Sequence, residues 1–301
     1  MAVTAVSASE TLAVVVVTYA PGPSLATFLD SLQYATSRPL DVVLADNTEG
    51  GASDPAVREA THRAGVRVLP SGRNVGYGRA ANAGVAATDT EFVVVANPDV
   101  AWEPGSLDEL VAATARWPRG ASFGPLIHTP ERMVYPSARE LPSLGRGIGH
   151  ALCGWWWPGN PWTAAYRRER GNPVERPAGW LSGSCLLVRR AAFDLVGGFD
   201  PGYFMYFEDT DLGERLGRAG WQNVYVPSAV VVHTGGHATE RDKRRMLAEH
   251  HRSAWRYLSR RYAGWRWAPV RWLLRVGLAA RAFLAMRSPR VAAGAAPQQR
   301  T

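Results

Sequence analysis

Short, dense apolar runs alternate with stretches of helical spacing along the first 130 residues. The runs are LAVVVVTYAPG (12–22), DVVLADN (41–47), VRVLP (66–70), FVVVANPD (92–99) and ASFGPLI (121–127). Four to seven β-branched or apolar residues closed by a turn signal predict buried strands. Between them, Leu25, Phe28, Leu29 and Leu32 recur at helical spacing. A second helix is expected near 54–64, an Ala-rich one within NVGYGRAANAGVAA (74–87), and a fourth from Pro104 to about Trp117. Strand-helix alternation of this kind predicts an α/β fold, Rossmann-like, with a mostly parallel central sheet flanked by helices. Ligands of such sheets bind at the carboxyl ends of the strands. Three predicted ends are polar: Thr18-Tyr19, Asp46-Asn47 and Asn97-Pro98-Asp99.

The pattern changes after residue 127. Residues 128–179 are rich in Pro, Gly and aromatics, with CGWWWPGNPW at their centre, and show no period. They read as a functional loop. GWLSGSCLLVRR (179–190) and NVYVPSAVVVH (223–233) return to strand character, and FDPGYFMYFEDTDLGERLGRAGW (199–221) reads as a loop entering a helix. The expected organisation is a catalytic domain over 1–240, with a donor half at about 12–127 and an acceptor half at about 128–240. A helical region follows at 241–301.

Charge separates that last region from the rest. Fifteen Arg and Lys face two Asp and Glu in residues 241–301, whereas the whole chain is only +8. The body is therefore net acidic and the tail strongly basic. Arg252, Arg256 and Arg260 fall on one helical stripe, and Trp255, Leu258 and Tyr262 on another. An apolar, aromatic face beside arginines suits a peripheral helix pair on an anionic membrane surface. Covering the body's own core and binding nucleic acid are the competing readings, and the lipid surface is preferred to both. No run reaches the ~18 apolar residues of a spanning helix. The start, MAVTAVSASE, lacks the positive region of a signal peptide. Two cysteines make no disulfide framework, so a reducing compartment is expected. The single lysine, Lys243, lies in the tail, which argues against Schiff-base chemistry or a Walker phosphate loop in the body. No G-x-G-x-x-G follows the first strand, which disfavours a dehydrogenase.

Three candidate sites remain. Asn97-Pro98-Asp99 is either a plain turn or a carboxylate placed for a divalent ion. Glu208, Asp209 and Asp211 are either acidic residues at a helix start or a set holding a general base. His233 and His237 follow a strand, and His233 gains meaning as a ligand only if it meets Asp99 in space.

In this order, VVVVTYAP, ADN, NVGYGRAAN, NPD and FEDTDLGERLGRAGW resemble family 2 glycosyltransferases of the GT-A fold, over roughly residues 12–240. The forms NPDV and FMYFEDTDLGERL look like bacterial rhamnosyltransferases, including those of the actinobacterial cell wall. The resemblance implies inverting transfer of L-rhamnose from dTDP-β-L-rhamnose to the GlcNAc of a polyprenyl-diphosphate-linked acceptor, at the cytoplasmic face of the plasma membrane. It implies donor contacts from Thr18, Tyr19, Asp46, Asn74, Gly76, Asn97 and Asp99, with Tyr19 against the base and Asp46 accepting from it. Asp99 and His233 would hold Mg2+ or Mn2+, Asp209 would be the base with Glu208 beside it, and Trp180, Gly183, Ser184 and Asp211 would border the acceptor. Asn97 departs from the pattern, standing where relatives carry a first aspartate, so metal binding rests on Asp99 and His233. Another nucleotide sugar or lipid acceptor, or a non-catalytic scaffold that keeps the fold, are the alternatives.

Overall fold

In a computed structural model, which describes residues 11–49, 54–142, 173–235 and 243–286, the predicted strands join one sheet. Its first four strands are β1 (Leu12–Thr18), β2 (Leu40–Asp46), β3 (Val66–Pro70) and β4 (Phe92–Ala96), followed by β5 (Val100–Trp102) and β6 (Gly120–His128). The later strands are β7 (Val134–Tyr135), β9 (Arg176–Ala178), β11 (Cys185–Arg189) and β12 (Gln222–His233), while β8 (Ala138–Arg139) and β10 (Trp180–Leu181) pair with each other as a separate two-stranded sheet. The order is β3-β2-β1-β4-β11-β6-β12-β5, with β7 on β6 and β9 on β12. Strands β3, β2, β1 and β4 are parallel to one another, and β6 is parallel to β12. Strand β11 runs antiparallel between β4 and β6.

Strand β1 shows why the apolar runs are continuous. Leu12, Val14 and Val16 join one core with Phe28, Leu32, Leu107 and Leu110. Ala13, Val15 and Val17 join the other with Ala81, Val85, Phe193, Leu212 and Leu216. Both sheet faces are covered, so polar alternation has no place. The covering helices are α1 (Ser24–Ala35), α2 (Pro55–Ala60), α3 (Tyr77–Ala86), α4 (Ser106–Arg116), α5 (Arg190–Leu195) and α6 (Glu208–Arg218). Gly84 on α3 lets that helix lie on Val15, whose side chain a Cβ there would overlap.

Two expectations change. β5 was not foreseen, because three residues carry no readable period. The flanks of the irregular segment hold β7, β8 and β9, which are as short; its centre, with Trp155–Trp162, lies outside the described residues, as does His237.

The tail forms α7 (Lys243–Arg261) and α8 (Ala268–Met286), joined by a 3-10 turn at Trp265–Trp267. They differ in their surroundings. On α7, Ser253, Ala254 and Tyr257 are buried, Ser253 Oγ donates to the Met205 carbonyl at 2.8 Å, and Arg261 pairs with Glu214 at 2.5 Å. The core-covering reading therefore describes α7. On α8, Trp272 and Leu273 are 65% and 62% exposed, beside Trp265 at 81%. No helix among the described residues is long and apolar enough to cross a membrane.

Candidate active site

Topology gathers the polar strand ends. Thr18 pairs with Asp46 across β1 and β2, and Val16 with Ala96 across β1 and β4, so Thr18, Asp46 and Asn97 leave the sheet along one edge. Antiparallel β11 begins where β4 ends, with Cys185 opposite Ala96. Ser184 thereby accepts the Asn97 N–H at 2.9 Å. Strand β12 ends at the same edge and pairs antiparallel with β5, His233 opposite Val100. The Asn97-Pro98-Asp99 turn is what leads the chain from β4 to β5, and it sets Asp99 beside His233.

The turn and the site are one feature. Asp99 Oδ1 lies 3.1 Å from His233 Nε2, and Asn97 Nδ2 lies 3.5 Å from the same nitrogen. The backbone carbonyl of Asp99 accepts from the Thr234 N–H and hydroxyl, each at 3.1 Å. Adjacent ligands of an octahedral ion with bonds near 2.1 Å stand about 3 Å apart, so the Asp99–His233 spacing fits a shared cation. Among the described residues no three His, Cys, Asp or Glu side chains form a complete metal cluster. A cation here would take its other ligands from substrate phosphates and water. One imidazole and one carboxylate suit Mn2+ at least as well as Mg2+.

The neighbouring strand ends form a polar lattice. Asp46, buried at 2% exposure, uses Oδ1 to accept from the Thr18 hydroxyl at 3.1 Å and the Thr48 hydroxyl at 2.7 Å. Its Oδ2 has no partner among the described residues. Asn47 donates to the Gly76 carbonyl at 3.2 Å and accepts the Val75 N–H at 3.3 Å. Asn74 accepts the Gly76 N–H at 3.1 Å. Gly76 has φ +90, and a Cβ there would stand 2.5 Å from the Phe204 carbonyl oxygen. Tyr19 is partly exposed at the end of β1.

Glu208 and Asp209 open α6, next to this edge. The residues before them, Tyr206 and Phe207, hold φ of 69 and 66, a left-handed conformation that costs a non-glycine residue on the order of 1–3 kcal/mol. The reversal brings Asp209 onto Gly183, whose N–H donates to Oδ2 at 3.0 Å. The Thr210 N–H donates to Oδ1 at 2.7 Å. A Cβ on Gly183 would stand 3.3 Å from the Asp209 Cβ and crowd the carboxylate. Burial raises the pKa of Asp209, against the Gly183 and Thr210 bonds that lower it. Glu208 is raised well above the usual carboxylate range by burial first and the Asp209 charge second. Its buried Oε2 has no partner among the described residues. The two carboxyls are coupled and both raised, and their bonding favours the shared proton on Glu208, whose Oε2 lacks a partner among the described residues, and the charge on Asp209, which accepts two backbone N–H groups.

Not every predicted site residue joins the group. Asp211 faces away, bonded to Arg215 at 2.6 Å and accepting from the Tyr203 hydroxyl at 3.4 Å. It lines a small cavity against α7 with Glu214, Tyr257 and Arg261. A helix turns about 200° over two residues, so Asp209 and Asp211 cannot serve one face, and Asp211 is a structural anchor of α6. The Trp180 indole N–H donates to the Glu140 carbonyl at 3.2 Å, and Arg139 lies 5.4 Å from its ring. Ser184 Oγ meets Ser182 Oγ at 3.1 Å.

Tyr77 was quoted within the NVGYGRAAN motif but given no role. Its hydroxyl donates to the Gly183 carbonyl at 2.5 Å, and its own N–H donates to the Phe204 carbonyl at 3.0 Å. Burial, then the charge of Glu208, raises its pKa well above the usual phenol value. Tyr77 thus stays a neutral donor that pins the residue bonded to Asp209. An aromatic at the start of a predicted helix reads as core, and only the fold shows the contact.

Comparison with known proteins identifies the family and the fold. The family model for glycosyl transferase family 2 matches residues 13–197, and that for glycosyl transferase family group 2 matches residues 168–291. N-acetylglucosaminyl-diphospho-decaprenol L-rhamnosyltransferase of Mycobacterium tuberculosis is 55% identical over 93% of this chain and 94% of that protein. Rhamnosyltransferase WbbL of Escherichia coli is 43% identical over 27% of this chain and 31% of that protein. Mannosyltransferase PcManGT from Pyrobaculum calidifontis, solved with GDP-Man and Mn2+, aligns with TM-score 0.53 at 19% identity over 95% of this chain and 76% of that one. GalNAc-T7, solved with UDP, GalNAc and Mn2+, aligns with TM-score 0.54 at 15% identity over 75% of this chain and 43% of that one. With its GT-A fold, this chain is a glycosyltransferase and belongs to family 2.

Proposed function

We propose that this enzyme transfers L-rhamnose from dTDP-β-L-rhamnose to the GlcNAc of a polyprenyl-diphosphate-linked acceptor, with inversion, as a step in building a cell-wall linker. The substrate assignment is supported by the 55% identity across nearly the whole length of the mycobacterial L-rhamnosyltransferase. The mechanism rests on one observation: Asp209 is held by two backbone N–H groups at the strand-end edge that also carries the Asp99–His233 pair.

The nucleotide lies across the ends of β1 and β2, where the free Oδ2 of Asp46 accepts from the base and Tyr19 covers it. Asn74 and Gly76 line the sugar-nucleotide pocket, and Asn97 contacts ribose or phosphate. Asp99 and His233 would hold Mg2+ or Mn2+, which would supply positive charge against the departing diphosphate. The acceptor hydroxyl enters between Trp180 and the Gly183-Ser184 loop, gives its proton to Asp209 and attacks the anomeric carbon from the face opposite the diphosphate. The bond to the diphosphate breaks as the new glycosidic bond forms, through a state of oxocarbenium character. Neutral Glu208 keeps a second negative charge away from the nucleophile.

The exposed Trp265, Trp272 and Leu273 on and before α8, with Arg266 and Arg275 beside them, support peripheral attachment to an anionic membrane surface at the cytoplasmic face. Transfer from dTDP-rhamnose to a short-chain GlcNAc-diphosphoryl lipid, with and without chelator, tests the assignment. Turnover with a different nucleotide sugar, and none with dTDP-rhamnose, would move the donor assignment and leave the mechanism. No transfer and no donor hydrolysis with any sugar would favour a scaffold.

A further inference from the structure

We propose that α7 is a working part of the active site: it braces the loop between Asp200 and Phe207, and Ser253, Arg256 and Arg260 act as positioning residues for Asp209. The proposal rests on the reading of Asp209 as the base. The loop runs straight into Glu208 and Asp209, and its last two residues hold the left-handed conformation that side chains resist. Such a conformation persists only where the surroundings over-determine it. On one side the surroundings are α3, through the Tyr77 N–H on the Phe204 carbonyl and the close approach of Gly76. On the other side they are almost wholly α7.

The contacts from α7 run the length of the loop. Arg256 donates to both oxygens of Asp200, at 3.0 and 2.9 Å, and Arg260 pairs with the same carboxylate. The Arg256 guanidinium lies 5.2 Å from the Tyr203 ring centre, over Gly202, where any Cβ would collide with it. Ser253 Oγ donates to the Met205 carbonyl at 2.8 Å, directly before the strained pair. The His250 ring meets Tyr206 and Phe207 edge-on at 5.4 and 5.6 Å, and Tyr257 meets Phe207 at 5.6 Å. Charged, polar and aromatic contacts thus converge on the eight residues 200–207, whose exit angle sets where the base stands. Of the arginine stripe that suggested a lipid surface, Arg256 and Arg260 are directed at one carboxylate of the loop, while Arg252 pairs with Glu249 on α7 itself.

The test uses the full chain with dTDP-rhamnose and a short-chain, water-soluble GlcNAc-diphosphoryl acceptor, so membrane attachment plays no part. In Arg256→Ala/Arg260→Ala, kcat is expected to fall about 10–100-fold, the scale of a 1 Å misplacement. The dTDP Kd should stay within about twofold, because the nucleotide site lies on the strand ends, and Arg256→Lys/Arg260→Lys should recover much of kcat by restoring charge against Asp200. Should the double alanine variant not fold, Ser253→Ala carries the test, with a smaller loss in kcat and the same unchanged dTDP Kd. Native kcat in the variant that folds, or loss of dTDP binding in parallel with kcat, overturns the proposal. Asp209→Asn is assayed alongside: full turnover there removes the base assignment itself, whereas a dead Asp209→Asn beside a fully active α7 variant removes only the brace.

Discussion

The proposed donor edge and the proposed acceptor edge of this enzyme hold their carboxylates by different physical means. On the donor edge, Asp46 ends a strand paired on both sides, and Asp99 sits in the short turn from β4, itself paired on both sides, into the edge strand β5 on β12. On the acceptor edge, Asp209 follows a loop with two left-handed residues and is held by Gly183, Tyr77 and a helix from the basic tail. Strand ends suit a rigid platform for a diphosphate that always binds the same way. In the proposed reading the base meets a hydroxyl of a lipid-linked acceptor, and the loop before it is positioned by packing rather than by a strand. The difference teaches that position on the donor edge is set by the sheet, and on the acceptor edge by packing between distant segments.

The most severe way to break the comparison is Asp209→Asn. General-base catalysis contributes 10²–10⁴-fold, so kcat should fall by about that factor while dTDP binding is unchanged. Near-normal turnover would mean that another group takes the proton. On the donor edge, Asp99→Ala should cost about 10–100-fold in transfer. Its distinguishing sign is that the remaining activity no longer responds to chelator or added Mn2+. Full metal-dependent transfer in Asp99→Ala would move the cation site away from the β4–β5 turn.

The same contrast explains what could be read from the chain alone. Apolar runs such as LAVVVVT announce buried strands, and polar residues after them announce the edge, so Thr18, Asp46 and Asn97 were visible in order. That Asp99 meets His233, 134 residues later, depended on β5, which is too short to show a period. Asp211 was placed at the acceptor by resemblance, although two residues along a helix stand about 200° apart, and the fold gives it to Arg215. Tyr77 had no assigned role, because its bond to Gly183 joins segments 106 residues apart. The tail misled most: α7 and α8 share arginines and aromatics, yet α7 finds Asp200 and Glu214 on the body while Trp272 and Leu273 of α8 face outward. An amphipathic pattern specifies that a face will be covered, not by what.

That division of the tail gives a smaller, separable effect. Trp272→Ala/Leu273→Ala should lower partitioning onto vesicles containing anionic phospholipid by about tenfold or more, since each buried side chain is worth roughly 1.5–3 kcal/mol. Turnover of a water-soluble acceptor should not change. If vesicle binding is unaffected, α8 has another partner.

The smallest effect sharpens the comparison within the acceptor edge, between Glu208 and Asp209. The folded enzyme holds the Glu208 proton at pH values where an unfolded chain has released it, because burial and the Asp209 charge raise the pKa. Between the ordinary carboxylate range and that raised value, the native state binds more protons than the unfolded state. Stability from this group therefore falls as pH rises through the interval and levels off above it. Glutamine resembles the protonated acid and carries no such penalty. Glu208→Gln should thus match the wild type in Tm near pH 5 and exceed it by about 3 °C at pH 8, the scale of 1 kcal/mol in a protein of this size. Its kcat should also survive far better than that of Asp209→Asn, since a neutral side chain at 208 is already the working state. A lower Tm for Glu208→Gln at pH 8 would show that Glu208 is ionised in the fold. The pair would then share its charge, and the clean separation of a proton holder from a base would be lost.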